Sequence, residues 1–407
     1  MNRGVFIAVR FAFAASVALG LTASRAEAAF SYLDLGTLGG AESFGFAINA
    51  SNQVVGQSNT SALTMPTSDP NGIGGGVVRD HAFRTAANSA ITSTSDLGTL
   101  GGPSSLATGI NASGIVVGSA NIANGDPTNQ VFVSHAFISG TGGGALRDLG
   151  TLGGTAATSN SIANGINASG QVVGGSDTAT VGSSHAFISA ANGGALRDLG
   201  TLGGSNSTAY GINASGQVVG QADLSGDIAS HAFVSAANGG SLTNLGTLGG
   251  SFSVGFGINA SGQVVGSAST AGDAALHAFI YGGSGSLTDL GTLGGTNSTA
   301  YGINTLGQVV GSADIANGSS HAFFESGGVL TDLNAFLSPG LGIVLTDARG
   351  INDLGQIVAF GTDSNGLNHV FLINTNAVPE PSSLVMLGAG LLIGVIGHRR
   401  RTRRSVA

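Results

Sequence analysis

Four short sequence blocks recur in the same order seven times, and this repeat constrains the fold of the 407-residue chain more than any other feature. The first block reads D-L-G-T-L-G-G, the second and third are fused as G-I-N-A-S-G-Q-V-V-G, and the fourth is H-A-F. Successive first blocks lie between 43 and 62 residues apart. Such a period is typical of architectures in which each repeat is one supersecondary unit that packs on its neighbours.

The fused second and third blocks predict a β-hairpin. Asn begins the turn in every copy, and an Asn side chain at that position can hydrogen-bond its own backbone two residues on. Gly follows three residues later, except in the first copy, where Asn52 stands instead. Gly and Asn are the residues that best tolerate a left-handed backbone, as in a hairpin whose type I turn leads into a bulge. The flanking Ile and Val residues favour paired strands.

The first and fourth blocks also read as strands, joined by Gly-rich links such as residues 191–194. Each unit then holds four antiparallel strands in about 45 residues, the size of one propeller blade. The predicted fold class is all-β: a seven-bladed β-propeller of four-stranded repeats over residues 30–375. An open β-solenoid is the alternative, but it requires a rung length more constant than these units have.

The first 28 residues have the features of a secretory signal peptide. Arg3 and Arg10 precede a largely apolar stretch, and Ala26 and Ala28 occupy the two positions that a signal peptidase inspects. Cleavage then leaves Ala29 as the first residue of the mature chain. The sequence therefore predicts an exported protein.

The segment 376–407 has three features in a fixed order. The motif Pro379-Glu380-Pro381 is followed by an apolar run over 384–397 and then by five arginines. With its polar flank the run approaches the length of a transmembrane helix, and the arginines favour a cytoplasmic end with the bulk of the chain outside. A plain C-terminal anchor is the simpler interpretation. The order of features closely resembles the PEP-CTERM sorting signal of Gram-negative bacteria.

That resemblance implies an exosortase-type membrane enzyme as partner, with Pro379, Glu380 and Pro381 as the sorting motif. It implies cleavage of the tail, transient anchoring in the inner membrane through the C-terminal helix, and delivery to the cell surface or the extracellular polysaccharide matrix. The chain would be a substrate of the sorting enzyme. Extracellular polysaccharide is a candidate partner on the same ground.

Composition restricts the chemistry further. There is no cysteine for disulfides or thiolate metal sites. Between residues 29 and 378 five arginines face 19 acidic residues, which argues against a nucleic-acid partner. The histidine of the fourth block recurs in every copy, so we predict a structural role for it and no catalytic, metal or cofactor site. These histidines are His81, His135, His185, His231, His277, His321 and His369.

The repeats resemble HAF-family extracellular repeats, named for His-Ala-Phe; the worn first block at Asp332 and the replacement of Ala by Val370 depart from that pattern. The resemblance implies an extracellular location. We therefore expect a structural or binding protein and no enzyme. The alternatives are a polysaccharide lyase or glycosidase on a propeller scaffold, which needs acids in a central pocket, and a calcium-dependent adhesin. Two long loops, 57–80 and 119–134, are predicted to lie on one face, where insertions often build binding surfaces.

Overall fold

The computed structural model describes residues 30–60, 79–123, 133–153, 158–338 and 340–375. Within these ranges the regular structure consists of β-strands and four short 3-10 turns, so the all-β prediction is confirmed. The predicted signal peptide with Ala26, Ala28 and Ala29, the sorting segment 376–407, and most of the two long loops lie outside the described residues. Within the described ranges no helix has the length and apolar character to cross a membrane.

The strands are short, and most of them end at a glycine-rich or asparagine-rich turn. Their bounds are β1 (Ser31–Asp34), β2 (Gly39–Ile48), β3 (Val54–Thr60), β4 (Asp80–Arg84), β5 (Gly101–Ile110), β6 (Val116–Ile122), β7 (Ser134–Ser139), β8 (Leu146–Asp148), β9 (Ser161–Ile166), β10 (Val172–Asp177), β11 (Ser184–Ser189), β12 (Leu196–Asp198), β13 (Gly203–Ile212), β14 (Val218–Leu224), β15 (Ser230–Ser235), β16 (Leu242–Asn244), β17 (Gly249–Ile258), β18 (Val264–Thr270), β19 (Leu276–Tyr281), β20 (Thr288–Gly291), β21 (Gly294–Ile303), β22 (Val309–Ile315), β23 (Ser320–Ser326), β24 (Val329–Asp332), β25 (Val344–Ile351), β26 (Gln356–Thr362) and β27 (Asn368–Asn374). The 3-10 turns are Ser93–Ser95, Ala191–Gly193, Ala271–Asp273 and Leu333–Phe336.

Each repeat forms one antiparallel sheet, and we number the sheets 1 to 7 along the chain. The second, third and fourth blocks of a repeat supply the first three strands, and the first block of the following repeat supplies the outer one. Sheet 1 is β2-β3-β4 with Asp96 bridging to Phe83; sheets 2 to 6 are β5–β8, β9–β12, β13–β16, β17–β20 and β21–β24. A single parallel pair, Ser230 with Phe252, links sheets 4 and 5.

Sheet 7 takes its outer strand from the other end of the chain. Strands β25, β26 and β27 come from the last repeat, and β1 pairs with β27 in a register that runs from Ser31 with Asn374 to Asp34 with Phe371. The reason is that the outer strand of each sheet comes from the first block of the next repeat. The first block of the first repeat has no preceding sheet to complete, and the last sheet has no following repeat.

The core lies between neighbouring sheets. In one such layer Val173 and Ala186 of sheet 3 pack on Val218 and Phe233 of sheet 4. The phenylalanine of the fourth block is completely buried in all seven sheets, and full burial of such a side chain stabilises the fold by about 1.5–3 kcal/mol. These residues are Phe83, Phe137, Phe187, Phe233, Phe279, Phe323 and Phe371. Each sheet therefore depends on its neighbours for a hydrophobic core.

Candidate functional site

The strand directions give the molecule two faces. The inner strands, which are the first of each sheet, begin at the Gly-Gly of the first block and end at the Asn of the hairpin turn. We call the side with the Asn-x-x-Gly turns the turn face and the opposite side the loop face. The two long loops leave the loop face, since Thr60 pairs with Gly39 and Ile122 with Gly101 at their bases.

The turn asparagine bonds both its own hairpin and the next sheet. The Oδ1 atom of Asn213 accepts hydrogen bonds from the backbone N–H groups of Ser215 and Gln217, at 3.1 and 3.0 Å. Its Nδ2 donates to the backbone oxygen of Asn259 in the following sheet, at 3.2 Å. Gly216 adopts the left-handed backbone that the turn requires, with φ of 72°. One side chain thus closes a turn and joins two sheets.

The same bond recurs between every pair of successive sheets and continues from sheet 7 to sheet 1, where Asn352 donates to the oxygen of Asn49 at 3.2 Å. The donors form an uninterrupted cycle of seven buried side chains. They are Asn49, Asn111, Asn167, Asn213, Asn259, Asn304 and Asn352.

A cavity of about 270 Å³ lies between the inner strands, beside this cycle. Seven isoleucines line it, each one residue before a turn asparagine: Ile48, Ile110, Ile166, Ile212, Ile258, Ile303 and Ile351. The residue before the isoleucine is Gly in six sheets, and a Cβ atom on Gly211 would lie 2.7 Å from the backbone oxygen of Phe256 in the next sheet. Glycine therefore allows the inner strands to approach closely around the cavity.

Every inner strand carries a β-bulge directly before this position, which is Ala47 in sheet 1 and glycine in the other six. In β13 the register shifts between Ala209 and Gly211, so Tyr210 has no partner on β14. A bulge re-aims a side chain and is over-represented next to binding sites. We call the seven residues at this position the bulge ring: Phe46, Thr108, Asn164, Tyr210, Phe256, Tyr301 and Arg349.

Three aromatic members of the bulge ring form a continuous arc. The ring centroids of Tyr210 and Phe256 are 5.1 Å apart, and those of Phe256 and Tyr301 are 5.3 Å apart, with tilted planes. Burial raises the pKa of Tyr210, so its hydroxyl stays protonated and can donate a hydrogen bond. The arc offers half-buried aromatic surface. The glycines that follow its three members, Gly211, Gly257 and Gly302, line the cavity, whereas the three aromatic side chains do not.

Arg349 ends the arc and is the one charged member of the bulge ring. Its guanidinium lies 3.8 Å from the ring centroid of Tyr301, and its Nη2 is 3.1 Å from Oδ1 of Asp347. Its Nε is buried and has no hydrogen-bond partner among the described residues. The stacking and the ion pair hold the planar fork in one orientation.

The polar members of the ring contact the next sheet. The hydroxyl of Thr108 donates to the oxygen of Ala163 at 2.6 Å, and Nδ2 of Asn164 donates to the oxygen of Ala209 at 2.8 Å. The residues that line the cavity include no aspartate or glutamate. The site can therefore offer stacking, hydrogen bonds and one cation to a ligand, and its lining holds no pair of acids of the kind that cleaves glycosides.

The seven repeat histidines lie apart from this ring, at the loop-face ends of the third strands. Each Nδ1 is 2.7 to 3.1 Å from the carboxylate of a first-block aspartate, or from the amide oxygen of Asn244 in sheet 4. The aspartate also accepts a backbone N–H two residues on, as Asp198 does from Gly200 at 2.7 Å. The histidines are not brought together, and no group of three metal-ligating side chains occurs in the described ranges.

Charge is divided unequally between the faces. The exposed Arg147 and Arg197 donate to backbone oxygens of neighbouring turn-face hairpins, and Arg84 donates to the oxygen of Gly114. Glu325 and Asp353 are the described carboxylates on that face. Fourteen of the seventeen described carboxylates lie at the loop face: Asp34, Glu42, Asp80, Asp96, Asp148, Asp177, Asp198, Asp223, Asp227, Asp273, Asp289, Asp314, Asp332 and Asp363. Arg79 is the one described arginine there.

Sequence reasoning did not find the bulge ring, although a signal for it exists. In the five residues that end with the turn asparagine, the first and third positions hold only Gly or Ala, the fourth is always Ile and the fifth is always Asn. The second position varies from Phe to Arg. A position that varies inside an otherwise constant repeat is free of the constraint that the fold sets on its neighbours.

A family model for the PEP-CTERM protein-sorting motif matches residues 377–401, which include Pro379, Glu380 and Pro381. The motif implies an exported protein that is sorted to the cell envelope through exosortase. The resemblance of the repeats to the HAF family stays a prediction. A comparison with curated proteins gave no match.

The solved structures to which this chain is similar include a β-propeller domain. The β-propeller domain of the Trilobed protease from Pyrococcus furiosus is 10% identical, with a TM-score of 0.50 over 83% of this chain and 96% of that one. TolB from Acinetobacter baumannii is 12% identical, with a TM-score of 0.35 over 64% of either chain. The Trypanosoma rangeli sialidase is 10% identical, with a TM-score of 0.37 over 85% of this chain and 59% of that one. The chain thus has a propeller-like all-β fold and carries a PEP-CTERM sorting motif at its C-terminal end.

Proposed function

We propose that the chain is a closed seven-bladed β-propeller that acts at the cell surface or in the extracellular polysaccharide matrix by binding a ligand at the bulge ring. Before sorting, it is held in the inner membrane of a Gram-negative bacterium by its C-terminal segment. Its role is binding, and it performs no catalysis. The PEP-CTERM motif at residues 377–401 supports the export and sorting part of this proposal.

The ring architecture is supported by the contacts between sheet 7 and sheet 1. The asparagine cycle passes from Asn352 to Asn49 as it does between all other neighbours. A Cβ atom on Gly45 of sheet 1 would lie 2.6 Å from both Val358 and Val370 of sheet 7. An open stack would leave its first and last sheets without such a neighbour.

The variation at the bulge ring carries the binding proposal. Seven equivalent positions hold three aromatic residues in a contact arc, one further phenylalanine, two hydrogen-bonding residues and one arginine. An aromatic surface beside polar groups is the combination that stacks on sugar rings and orients their hydroxyls. Extracellular polysaccharide is therefore the ligand that we favour.

Tyrosine fluorescence tests this site directly, because the chain has four tyrosines and no tryptophan. Two of the four, Tyr210 and Tyr301, belong to the bulge ring. We expect polysaccharide from the producing bacterium to co-sediment with the protein and to change its tyrosine emission. In the double variant Tyr210→Phe, Tyr301→Phe, we expect co-sedimentation to persist and the emission change to disappear.

A matched variant, Tyr281→Phe, removes a tyrosine outside the ring and should keep the emission change. The variant Arg349→Gln removes the single cation of the ring and should weaken binding, most for acidic polysaccharide. If polysaccharide still causes the same change of tyrosine emission in the double variant, the ligand binds outside the bulge ring. Absence of co-sedimentation would contradict the binding role.

Cell fractionation tests the sorting part. We expect the intact chain to reach the cell surface or medium, and a chain without residues 378–407 to be released in the periplasm. Replacing Pro379 and Pro381 by alanine keeps the apolar run and separates motif recognition from anchoring. If all three proteins reach the same compartment, sorting through this tail is wrong.

A further inference from the structure

The C-terminal segment leaves the molecule at the turn face of sheet 7. The last strand, β27, ends at Asn374, which pairs with Gln356 directly after the hairpin turn of that sheet. Thr375 then donates from its backbone N–H and from its hydroxyl to the oxygen of Gly355, at 3.3 and 2.8 Å. The chain is therefore fixed at the turn face up to residue 375.

The sorting motif follows this fixed point closely. The PEP-CTERM match begins at residue 377, and Pro379 is four residues beyond Thr375. The apolar run begins at residue 384, nine residues beyond Thr375, and a fully extended chain covers about 30 Å in nine residues. A membrane that holds the apolar run therefore lies within about 30 Å of the turn face of sheet 7.

Two of the hairpin turns nearest to this exit carry exposed leucines. The third turn residue is serine in sheets 1 to 5, but Leu306 in sheet 6 and Leu354 in sheet 7. Leu306 is 71% exposed and Leu354 is 53% exposed. Leu354 directly precedes Gly355, whose oxygen binds Thr375. The serine-to-leucine changes thus occur where the chain leaves for the membrane.

The charge of the two faces favours the same orientation. The turn face carries Arg84, Arg147 and Arg197 in sheets 1 to 3 and the carboxylates of Glu325 and Asp353 in sheets 6 and 7, whereas the loop face holds fourteen of the seventeen described carboxylates. Bacterial membrane surfaces are anionic, so they attract a face with arginines and repel a strongly acidic one. The exposed leucines themselves lie beside Asp353, whose Oδ1 accepts the backbone N–H of Thr305 at 2.9 Å, so the arginines favour membrane contact of the face as a whole and not at the leucines.

We propose that the turn face is a membrane-contact surface, with Leu306 and Leu354 at the lipid interface while the C-terminal segment is still attached. The inference rests on the proposed function, because it requires that segment to be held in the membrane. Beyond that function, it specifies the side of the molecule that contacts the membrane. The loop face, with the two long loops and the carboxylates, then points away from the membrane.

Single-cysteine labelling can test the orientation, because the chain contains no cysteine. The full chain would carry Leu306→Cys or, as a matched control at the loop face, Ile228→Cys, which replaces an aliphatic side chain that is 81% exposed. Each variant is labelled with an environment-sensitive fluorophore and reconstituted in vesicles of phosphatidylethanolamine and phosphatidylglycerol. We expect a shift of the emission to shorter wavelength, and quenching by spin-labelled lipid, at position 306 and neither effect at position 228.

Flotation of the vesicles separates this inference from the function beneath it. A chain that does not float with the vesicles contradicts membrane anchoring and, with it, the contact surface. A chain that floats while position 228 is quenched, or while neither position is, overturns the orientation alone. A labelled chain without residues 378–407 shows how strongly the turn face associates with vesicles by itself. We expect this association to be weak and to decrease further with added salt.

Discussion

At the scale of single residues, the turn asparagine shows how one side chain meets two separate requirements. Its Oδ1 accepts the two N–H groups that form the hairpin turn, and its Nδ2 donates to the next sheet. The turn could be predicted from the sequence, because the pattern Asn-x-x-Gly is local. The bond between sheets could not, because it joins residues 46 positions apart. An aspartate could form the turn, but in its usual ionised state it has no donor for the bond between sheets.

Asn213→Asp isolates the second requirement. The carboxylate keeps an acceptor for the turn but loses the donor, and it places a charge near the buried oxygen of Asn259. We expect the free energy of unfolding to fall by about 1–3 kcal/mol at pH 7 in urea titrations. Asn238→Asp is the control, because it makes the same change of side chain at an exposed position. Equal losses in the two variants would show that the bond between sheets contributes nothing.

The histidine–aspartate pairs give a prediction for acid stability. Burial raises the pKa of Asp96, but hydrogen bonds from His81 and Gly98 and the charge of His81 outweigh that effect, so its pKa is lowered from the ordinary 3.8. A lowered pKa in the fold stabilises the protein above the unfolded value, and this stabilisation disappears as the pH falls through the folded value. We expect the stability advantage over Asp96→Asn to be full above about pH 5 and to shrink below about pH 4. Carboxyl titration by NMR provides the direct check, and an Asp96 that titrates at or above 3.8 would contradict this.

At the scale of strands, the strands could be predicted from the sequence, whereas the bulges could not. The Val-Val and His-Ala-Phe blocks favour strands directly. The bulge position has no characteristic residue type in this chain, since it is occupied by side chains as different as Phe46 and Arg349. It follows from how the inner strands fit together around the cavity, which is a property of several sheets at once. For this reason the candidate site emerged only from the structure.

The glycine of the third block can be tested by a matched pair of substitutions. A Cβ atom on Gly220 would lie within 2.9 Å of the ring of Phe233 and would overlap the backbone oxygen of Thr208. We expect Gly220→Ala to lower the free energy of unfolding by about 1–3 kcal/mol or more, since strand pairing must shift to admit the methyl group. Gly282→Ala has no atom near its new methyl group and should be close to neutral in the same thermal or urea unfolding. A neutral Gly220→Ala would show that the pair of strands tolerates this displacement.

At the scale of the whole molecule, the pairing of β1 with β27 joins the two ends of the repeat array. The sequence indicated seven units, each with four blocks and four strands, and the structure shows that the outer strand of each sheet comes from the first block of the next repeat. It did not indicate that the last sheet borrows its outer strand from the first repeat. That pairing depends on the ends meeting in space, which no local pattern encodes.

Removal of residues 30–34 should expose the edge of β27 and leave His369 without its partner Asp34. We expect a lower melting temperature and concentration-dependent association, because an unpaired strand edge pairs with other chains. A synthetic peptide of residues 30–35 should reverse both effects, and a scrambled peptide should reverse neither. A shortened chain that stays monomeric and melts at the original temperature would show that β1 is dispensable.

The hydrogen-bonded pair of Ser31 and Asn374 has a consequence for how the gene could be rearranged. Because the ends of the folded array are neighbours, a short linker could fuse them, and the chain could be reopened at another hairpin, such as residues 282–286. Such a circular permutant should keep every sheet while moving the point at which a leader or a tail is attached. The present break point is therefore not imposed by the architecture, and it leaves the two ends of the described array, residues 30 and 375, on the same side of the molecule.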